Sequence, residues 1–429
     1  MTLTHLHVER NDDGDVRNTS LPLWFPILLG SLTAVAPVST DIYLPALPAI
    51  EHQLHTSPGA GSLTMTAWVA GLALGQISIG PISDRFGRRW PLIVCTLGYA
   101  LAGMGCALSQ TLEQLCFFRV VAALMGAASL VVPNACIRDV ASGDAMSRVM
   151  SRLIIIQGIV PIMAPAIGGF LLQYMSWRGI FWGTAIYGAL SALAVILFLP
   201  DTLPPQYRRE LRIGIVARRY VTIMRDPSFF FTGMVWMLQG MVVFTYLTAA
   251  PFLFEDVFGL SPFHYGMLFG MFAICMIGAS QVNAFMLRYF HSNTLLKAAL
   301  VLTVVFGLLF IAVALWSAFD LDSAGHLKNI YFWPLTIAMV LTLTPGGAVG
   351  PNAAAIALSR QAQNAGSAAA LGGTGFYVFG IVATYGFTCF PLGTAIPMAG
   401  ILFLADVTML GFVLAGAVRA QRNQSPGQT

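Results

Sequence analysis

Eleven stretches of this 429-residue chain run for 18 residues or more without an Asp, Glu, Lys or Arg. They cover 18–40, 52–83, 90–112, 120–137, 153–177, 179–200, 227–254, 257–287, 298–319, 329–359 and 361–405. A helix needs about 20 apolar residues to cross roughly 30 Å of hydrocarbon, so each run can hold a span. The last run has 45 residues and is broken by Pro391 and Gly393, which leaves room for two. Twelve membrane helices are expected, with eleven or thirteen inside the few-residue play of the run ends. Continuous apolarity excludes a β-barrel, whose strands of about ten residues alternate in polarity. Only 9% of the residues are charged, too few to cover a water-facing surface. Soluble enzymes, disordered chains and collagen-like fibres are therefore excluded. Segment 1–20 holds Glu9, Asp12, Asp13 and Asp15, which is unlike a cleaved leader.

Cytoplasmic loops carry an excess of Lys and Arg, and that excess sets the orientation. With an inside N-terminus, 19 of the 22 basic residues lie on the inner side. Six of them (Arg208, Arg209, Arg212, Arg218, Arg219 and Arg225) share one middle loop. Both termini are thus expected in the cytoplasm. The net charge of +4 follows from this arrangement and implies no nucleic acid; the middle loop reads as solvated rather than lipid-binding. The six cysteines form no close pair with metal-ligand spacing and read as small packing residues.

The polar stretch 200–226 divides the spans six and six. The expected organisation is a tail 1–20, a six-helix bundle 21–199, a linker 200–226, a second bundle 227–418 and a tail 419–429. Pro133-Asn134-Ala135 in span 4 recurs as Pro351-Asn352-Ala353 in span 10, the equivalent place in the second set, which favours a duplication. Two such halves can rock about a cavity and expose it to one side at a time, an argument from analogy of fold.

Between spans 2 and 3 stand Gly80, Asp84, Arg85, Gly87, Arg88 and Arg89, spaced as G-x-x-x-D-R-x-G-R-R. Glycine permits a tight turn there. Asp84 can cap the next helix or pair with its arginine neighbours. This segment resembles the loop 2–3 signature of the major facilitator superfamily. Residues 40–48 in span 1 (T-D-I-Y-L-P-A-L-P), Phe118-Arg119 in span 4, Trp177-Arg178 and residues 365–369 (A-G-S-A-A) narrow the likeness. Over about residues 20–418 the chain resembles the Bcr/CflA group of bacterial drug exporters.

That resemblance implies an all-α integral membrane protein, with twelve transmembrane helices in two six-helix pseudo-repeats. It implies proton-coupled efflux of a small amphipathic or neutral drug-like molecule by alternating access, in the bacterial inner membrane. The partners would be the drug, protons and membrane lipid; the chain would act as a monomer, without a cofactor beyond the proton gradient, and would not be an enzyme. The loop 2–3 motif would be a cytoplasmic latch in which Asp84 pairs with arginine and helix-end dipoles. Its counterpart, 278–288, keeps Arg288 but no acid, so the latch should be asymmetric.

Asp41 lies in 21–50, long enough to cross at a tilt, and a carboxylate in hydrocarbon is expensive. Desolvation would favour its protonated form and suit it to proton coupling. The competing placement is the outer headgroup layer, since Tyr43, Pro45 and Pro48 follow. Arg119 is the one basic residue inside the spans; it either snorkels to the surface or, as the resemblance implies, faces the cavity and tunes Asp41. Its fourth following residue is Ala123 where the family has glycine. Span 5 carries Pro161, Pro165, Gly168 and Gly169, which resemble the antiporter motif of drug exporters; an ordinary kinked packing helix is the alternative. Asp406 in span 12 reads as hydrogen-bonded structure or a second titrating group. Glu255 and Asp256 read as solvated.

Tyr43, Asn134, Met237, Gln239, Tyr246 and Asn352 are candidate cavity residues, chosen as polar or adaptable side chains on cavity-bordering spans. The sequence offers no Walker-type loop, no nucleophile elbow and no clustered histidines, so neither an ATP-driven pump nor hydrolytic chemistry is indicated. A proton-linked importer or a metabolite exporter on the same fold is the alternative reading; a channel or membrane enzyme is the third.

Overall fold

The computed structural model describes residues 22, 24–57, 59–141, 143–208, 213–319, 327–361, 364–390 and 393–424. The tail 1–20, Arg209, Arg212, Pro391 and the last residues of the second tail lie outside the described residues. Every expected span is a helix. Spans 1 to 4 are Trp24–Gln53, Ser62–Phe86, Arg89–Leu108 and Leu112–Val140. Span 5 is Gly143–Leu171, of which Gln157–Leu171 is the apolar part, and span 6 is Trp177–Phe198. Spans 7 to 12 are Pro227–Val257, Pro262–Met286, Ser292–Phe319, Asn329–Ser359, Ala365–Thr388 and Ile396–Gln424. The 361–405 run does hold two helices.

Proline and short polar side chains punctuate these helices. Span 1 is a regular helix only over Trp24–Asp41; a 3-10 turn, Leu44–Ala46, and a short helix, Leu47–Gln53, complete it. Pro45 and Pro48 sit in the first turns of those two pieces, where a missing N–H is harmless. Side chains of Thr111, Asp226 and Ser261 accept backbone N–H groups at the starts of spans 4, 7 and 8.

The chain separates into two compact units. The first holds the described residues up to Thr56 and Ala67–Arg212; the second holds Ser57–Thr66 and everything from Ile213 onward. The division therefore falls inside 200–226. Asp201 and Arg208 belong to the first unit. The helix Ile213–Arg225 belongs to the second, buried there through Ile223 beside Phe229, Met237, Ala357 and Ala368. The start of span 2 also groups with the second unit, where Thr66 Oγ1 donates to Thr384 Oγ1 at 2.8 Å.

The first unit is centred on Phe25, Leu29, Leu32, Leu92, Val132 and Ile137, all fully buried. Large apolar side chains such as Leu101 and Ile186 are exposed, as a bilayer permits. Helix contact relies on small residues. Gly71 and Gly75 of span 2 lie against Val120, Ala123, Leu124 and Ala127 of span 4, so Ala123 already fills the space at that crossing. Gly168 of span 5 meets the Ile42 carbonyl of span 1, and Gly240 of span 7 meets the Phe376 carbonyl of span 11. Equivalent span pairs thus reach backbone contact in both units, with the glycine on opposite partners.

Candidate functional site

Spans 2 to 6 all reach residues 39–43, where the first helix of span 1 ends. Asp41 is its last residue and only 5% exposed, so its side chain does not simply meet water. The residues around it are individually held. Trp68 Nε1 of span 2 donates to Thr40 Oγ1 at 2.9 Å, while Thr40 Oγ1 donates to Ala36 O at 2.8 Å. The Ser39 hydroxyl bonds the Tyr99 hydroxyl of span 3. Gly168 carries no Cβ because the Ile42 carbonyl occupies that space.

Arg119 of span 4 closes this cluster. It does not snorkel: 2% of it is exposed. Its Nη1 donates to Ser39 O at 3.1 Å, and its guanidinium lies 4.1 Å from the Tyr43 ring centre and 4.2 Å from that of Trp68. Phe181 of span 6 stands 5.8 Å away. A cation sandwiched between aromatic faces away from water gains about 2 kcal/mol from such contact. Its Nε and Nη2 have no hydrogen-bond partner among the described residues. None of the ion pairs among those residues includes Asp41 or Arg119. The expected tuning of Asp41 by Arg119 therefore has no direct contact behind it. Arg119 instead grips the backbone and ring on either side of the acid. Trp68, Tyr99 and Phe181 were missed by sequence reasoning; as aromatics in apolar runs they carried no local signal.

In span 5, Pro165, Gly168 and Gly169 are buried and Pro161 is half-buried. Gly168 is the member that adjoins the acid.

The loop 2–3 motif forms a second cluster, within the first unit. Gly87 turns the chain at φ +87°, and a Cβ there would strike the Asp201 carboxylate. Arg88, not Asp84, is the hub. It bonds Asp84 at 2.6 Å and Asp139 at 2.9 Å, its Nη1 donates to Ser83 Oγ at 2.9 Å, and its backbone N–H donates to Asp201 Oδ1 at 2.8 Å. Burial would lower the Arg88 pKa, but hydrogen bonds and charges from Asp139, then Asp84, hold it above its ordinary value. Arg208 pairs with Asp201 at 2.8 Å. The helix-end contact belongs to Arg89, whose Nη2 donates to Ile196 O at 2.7 Å in the last turn of span 6. Arg85 is exposed, stacked over Phe86 at 5.3 Å. Gly80 is not a turn residue: it lies inside the span 2 helix, and a Cβ there would be an ordinary 4.0 Å from Val131. Asp139 and Asp201 were overlooked, although one follows Arg138 directly and the other opens the arginine-rich middle stretch.

The second unit has no such cluster at 278–288. Arg288 is exposed, over Phe285 at 5.7 Å. Spans 8 and 10 are instead joined by a reciprocal amide pair, with Asn352 Nδ2 donating to Asn283 Oδ1 at 2.7 Å and Asn283 Nδ2 returning to Asn352 Oδ1 at 3.4 Å. Asn352 and Met237, expected at a cavity, are both buried within the unit. Tyr246 is buried and stacked on Phe269 at 5.2 Å. Gln239 is buried with Oε1 unpartnered among the described residues. Asn134 is half-buried and donates to Leu130 O of its own helix at 2.9 Å.

The Major Facilitator Superfamily model matches residues 29–384. The chain belongs to that superfamily. It is 31% identical over 388 residues to an uncharacterized transporter of this type from Bacillus subtilis, covering 89% of this chain and 92% of that one. A bicyclomycin resistance protein homolog from Haemophilus influenzae is 29% identical, over 93% and 96% of the two chains. A chloramphenicol resistance protein from Pseudomonas aeruginosa is 24% identical, over 93% and 92%. These relatives bear out the resemblance to the Bcr/CflA group. Among solved structures, a D-xylose–proton symporter matches with a TM-score of 0.68 at 14% identity, covering 91% of this chain and 96% of that one. A bacterial homolog of the human lysosomal transporter Spinster matches at 0.66 and 16%, over 93% and 96%. The protein is a multi-pass membrane transporter of the major facilitator fold, and not an enzyme.

Proposed function

We propose that this transporter exports small amphipathic or neutral drug-like molecules in exchange for protons, by alternating access, across a bacterial inner membrane with both termini in the cytoplasm. Asp41 carries the proton. The observation behind this reading is a buried acid inside a membrane span, outside every ion pair among the described residues, with its neighbours on both sides fixed by spans 2 to 5. A carboxyl so placed can change charge without a partner to release, and the surrounding clamp can convert that change into movement of span 1. Arg119 acts as a positioning residue. The drug-resistance relatives support an exported drug as the cargo.

The reading is tested in proteoliposomes and inverted vesicles. Drug accumulation in inverted vesicles should depend on an inward-acid gradient, and adding drug to purified protein should release protons. Asp41→Asn should abolish both while leaving the protein folded. Full proton release from Asp41→Asn would sink the assignment. Accumulation only in right-side-out vesicles would turn the reading to import.

A further inference from the structure

Span 12 carries an acid for which the reading above has no use. Asp406 is 1% exposed. It lies ten residues from Ile396, the start of the span, and thirteen from Arg419. At 1.5 Å per residue those distances are about 15 and 20 Å, so the carboxyl sits near the middle of the crossing. Span 12 packs on spans 7 and 9 and touches span 11. Those neighbours offer it no counter-charge. Span 9 carries only Lys297, six residues and roughly 9 Å along the helix from the facing Thr303. Span 7 holds Glu255 and Asp256 at its far end, and span 11 holds no charged residue. No ion pair among the described residues includes Asp406.

Span 9 presents a notch to this acid. Gly307 leaves room above its backbone; a Cβ there would lie 3.8 Å from Asp406 Oδ2 and 3.2 Å from Phe403 Cδ2. One turn earlier the buried hydroxyl of Thr303 faces the carboxyl. That hydroxyl has one hydrogen, and it is donated to Leu300 O at 3.0 Å. While that bond is made, Thr303 presents Asp406 with a lone pair; turned round, the same hydroxyl can donate to the carboxyl and leave Leu300 O. Oδ2 has no hydrogen-bond partner among the described residues. An ionised carboxylate would have no counter-charge and no donor for Oδ2, in the middle of a membrane. A carboxylic acid carries no charge to compensate, and its O–H can donate to Thr303 Oγ1.

We propose that Asp406, seated over Gly307 and against Thr303, is a proton-binding site of the second unit, occupied throughout as a carboxylic acid that ties span 12 to span 9. Its ligand is a single proton, sealed from water and separate from the one Asp41 exchanges. The claim does not depend on drug export, because it concerns the protonation of one carboxyl in the resting protein.

Infrared spectroscopy of the purified, reconstituted protein at neutral pH tests it. Difference spectra should show a protonated-carboxyl carbonyl band that Asp406→Asn removes and Asp41→Asn keeps, and that shifts only slowly in deuterium oxide. Thr303→Val should retain the band and move it to higher frequency, since the acid O–H loses its acceptor. Loss of a carboxylate band from Asp406→Asn would overturn the site, and a shift complete within mixing would overturn its sealing. Should Asp406→Asn fail to fold, Thr303→Val decides, and an unmoved band there counts against the proposal.

Discussion

The carbonyl oxygen of Ile42 lies where Gly168 would carry a Cβ, which puts span 5 in backbone contact with the residue following Asp41. The atom in the way is backbone, so no flexible side chain can yield. Gly168→Ala must push span 1 aside at the acid. Overpacking of this kind costs about 1–3 kcal/mol. Drug transport should fall at least tenfold and the Tm by several degrees. Gly183→Ala, a change with nothing within 4 Å, should leave both unchanged. Vesicle transport alongside thermal unfolding in detergent checks the pair.

Arg119 separates charge from shape. Lysine keeps the charge but loses the planar group that lies between Tyr43 and Trp68 while reaching Ser39 O. Arg119→Lys should therefore lower transport tenfold or more, nearly as far as Arg119→Met. The methionine variant removes a buried charge outside every ion pair among the described residues, and should unfold within about 1 kcal/mol of the parent or above it. Wild-type transport by the lysine variant would show that only the charge matters.

The two motif glycines should behave oppositely. Gly87→Ala meets a left-handed backbone at φ +87° and the Asp201 carboxylate, for a cost of about 1–2 kcal/mol or more. Gly80→Ala adds a methyl group 4.0 Å from Val131 inside a helix, and should stay within about 0.5 kcal/mol of the parent. Denaturation midpoints of the two variants decide it; equal losses would contradict the geometry.

The spans were legible because charge cannot be left in hydrocarbon, so its absence marks them directly in the chain. Asp41 and Arg119 stood out for the same reason, as charges whose presence among the spans needs an explanation, whereas Gly168 stood out only through the motif its segment resembles. The cavity guesses were weaker, because polarity alone does not say which way a side chain faces. Arg88 as hub was equally hidden, since its partners Asp139 and Asp201 lie 51 and 113 residues further on.

What the sequence determined by itself was where the apolar crossings lie and that two acids, Asp41 and Asp406, fall within them, both consequences of how water and lipid treat a charge. The tertiary structure alone decided that Arg119 rests on aromatic rings rather than on Asp41, and that Asp406 sits over Gly307 with its Oδ2 unpartnered among the described residues. Those outcomes depend on the facing of helices far apart in the chain, and a hydrogen bond or a ring contact exists only once packing has fixed direction as well as distance.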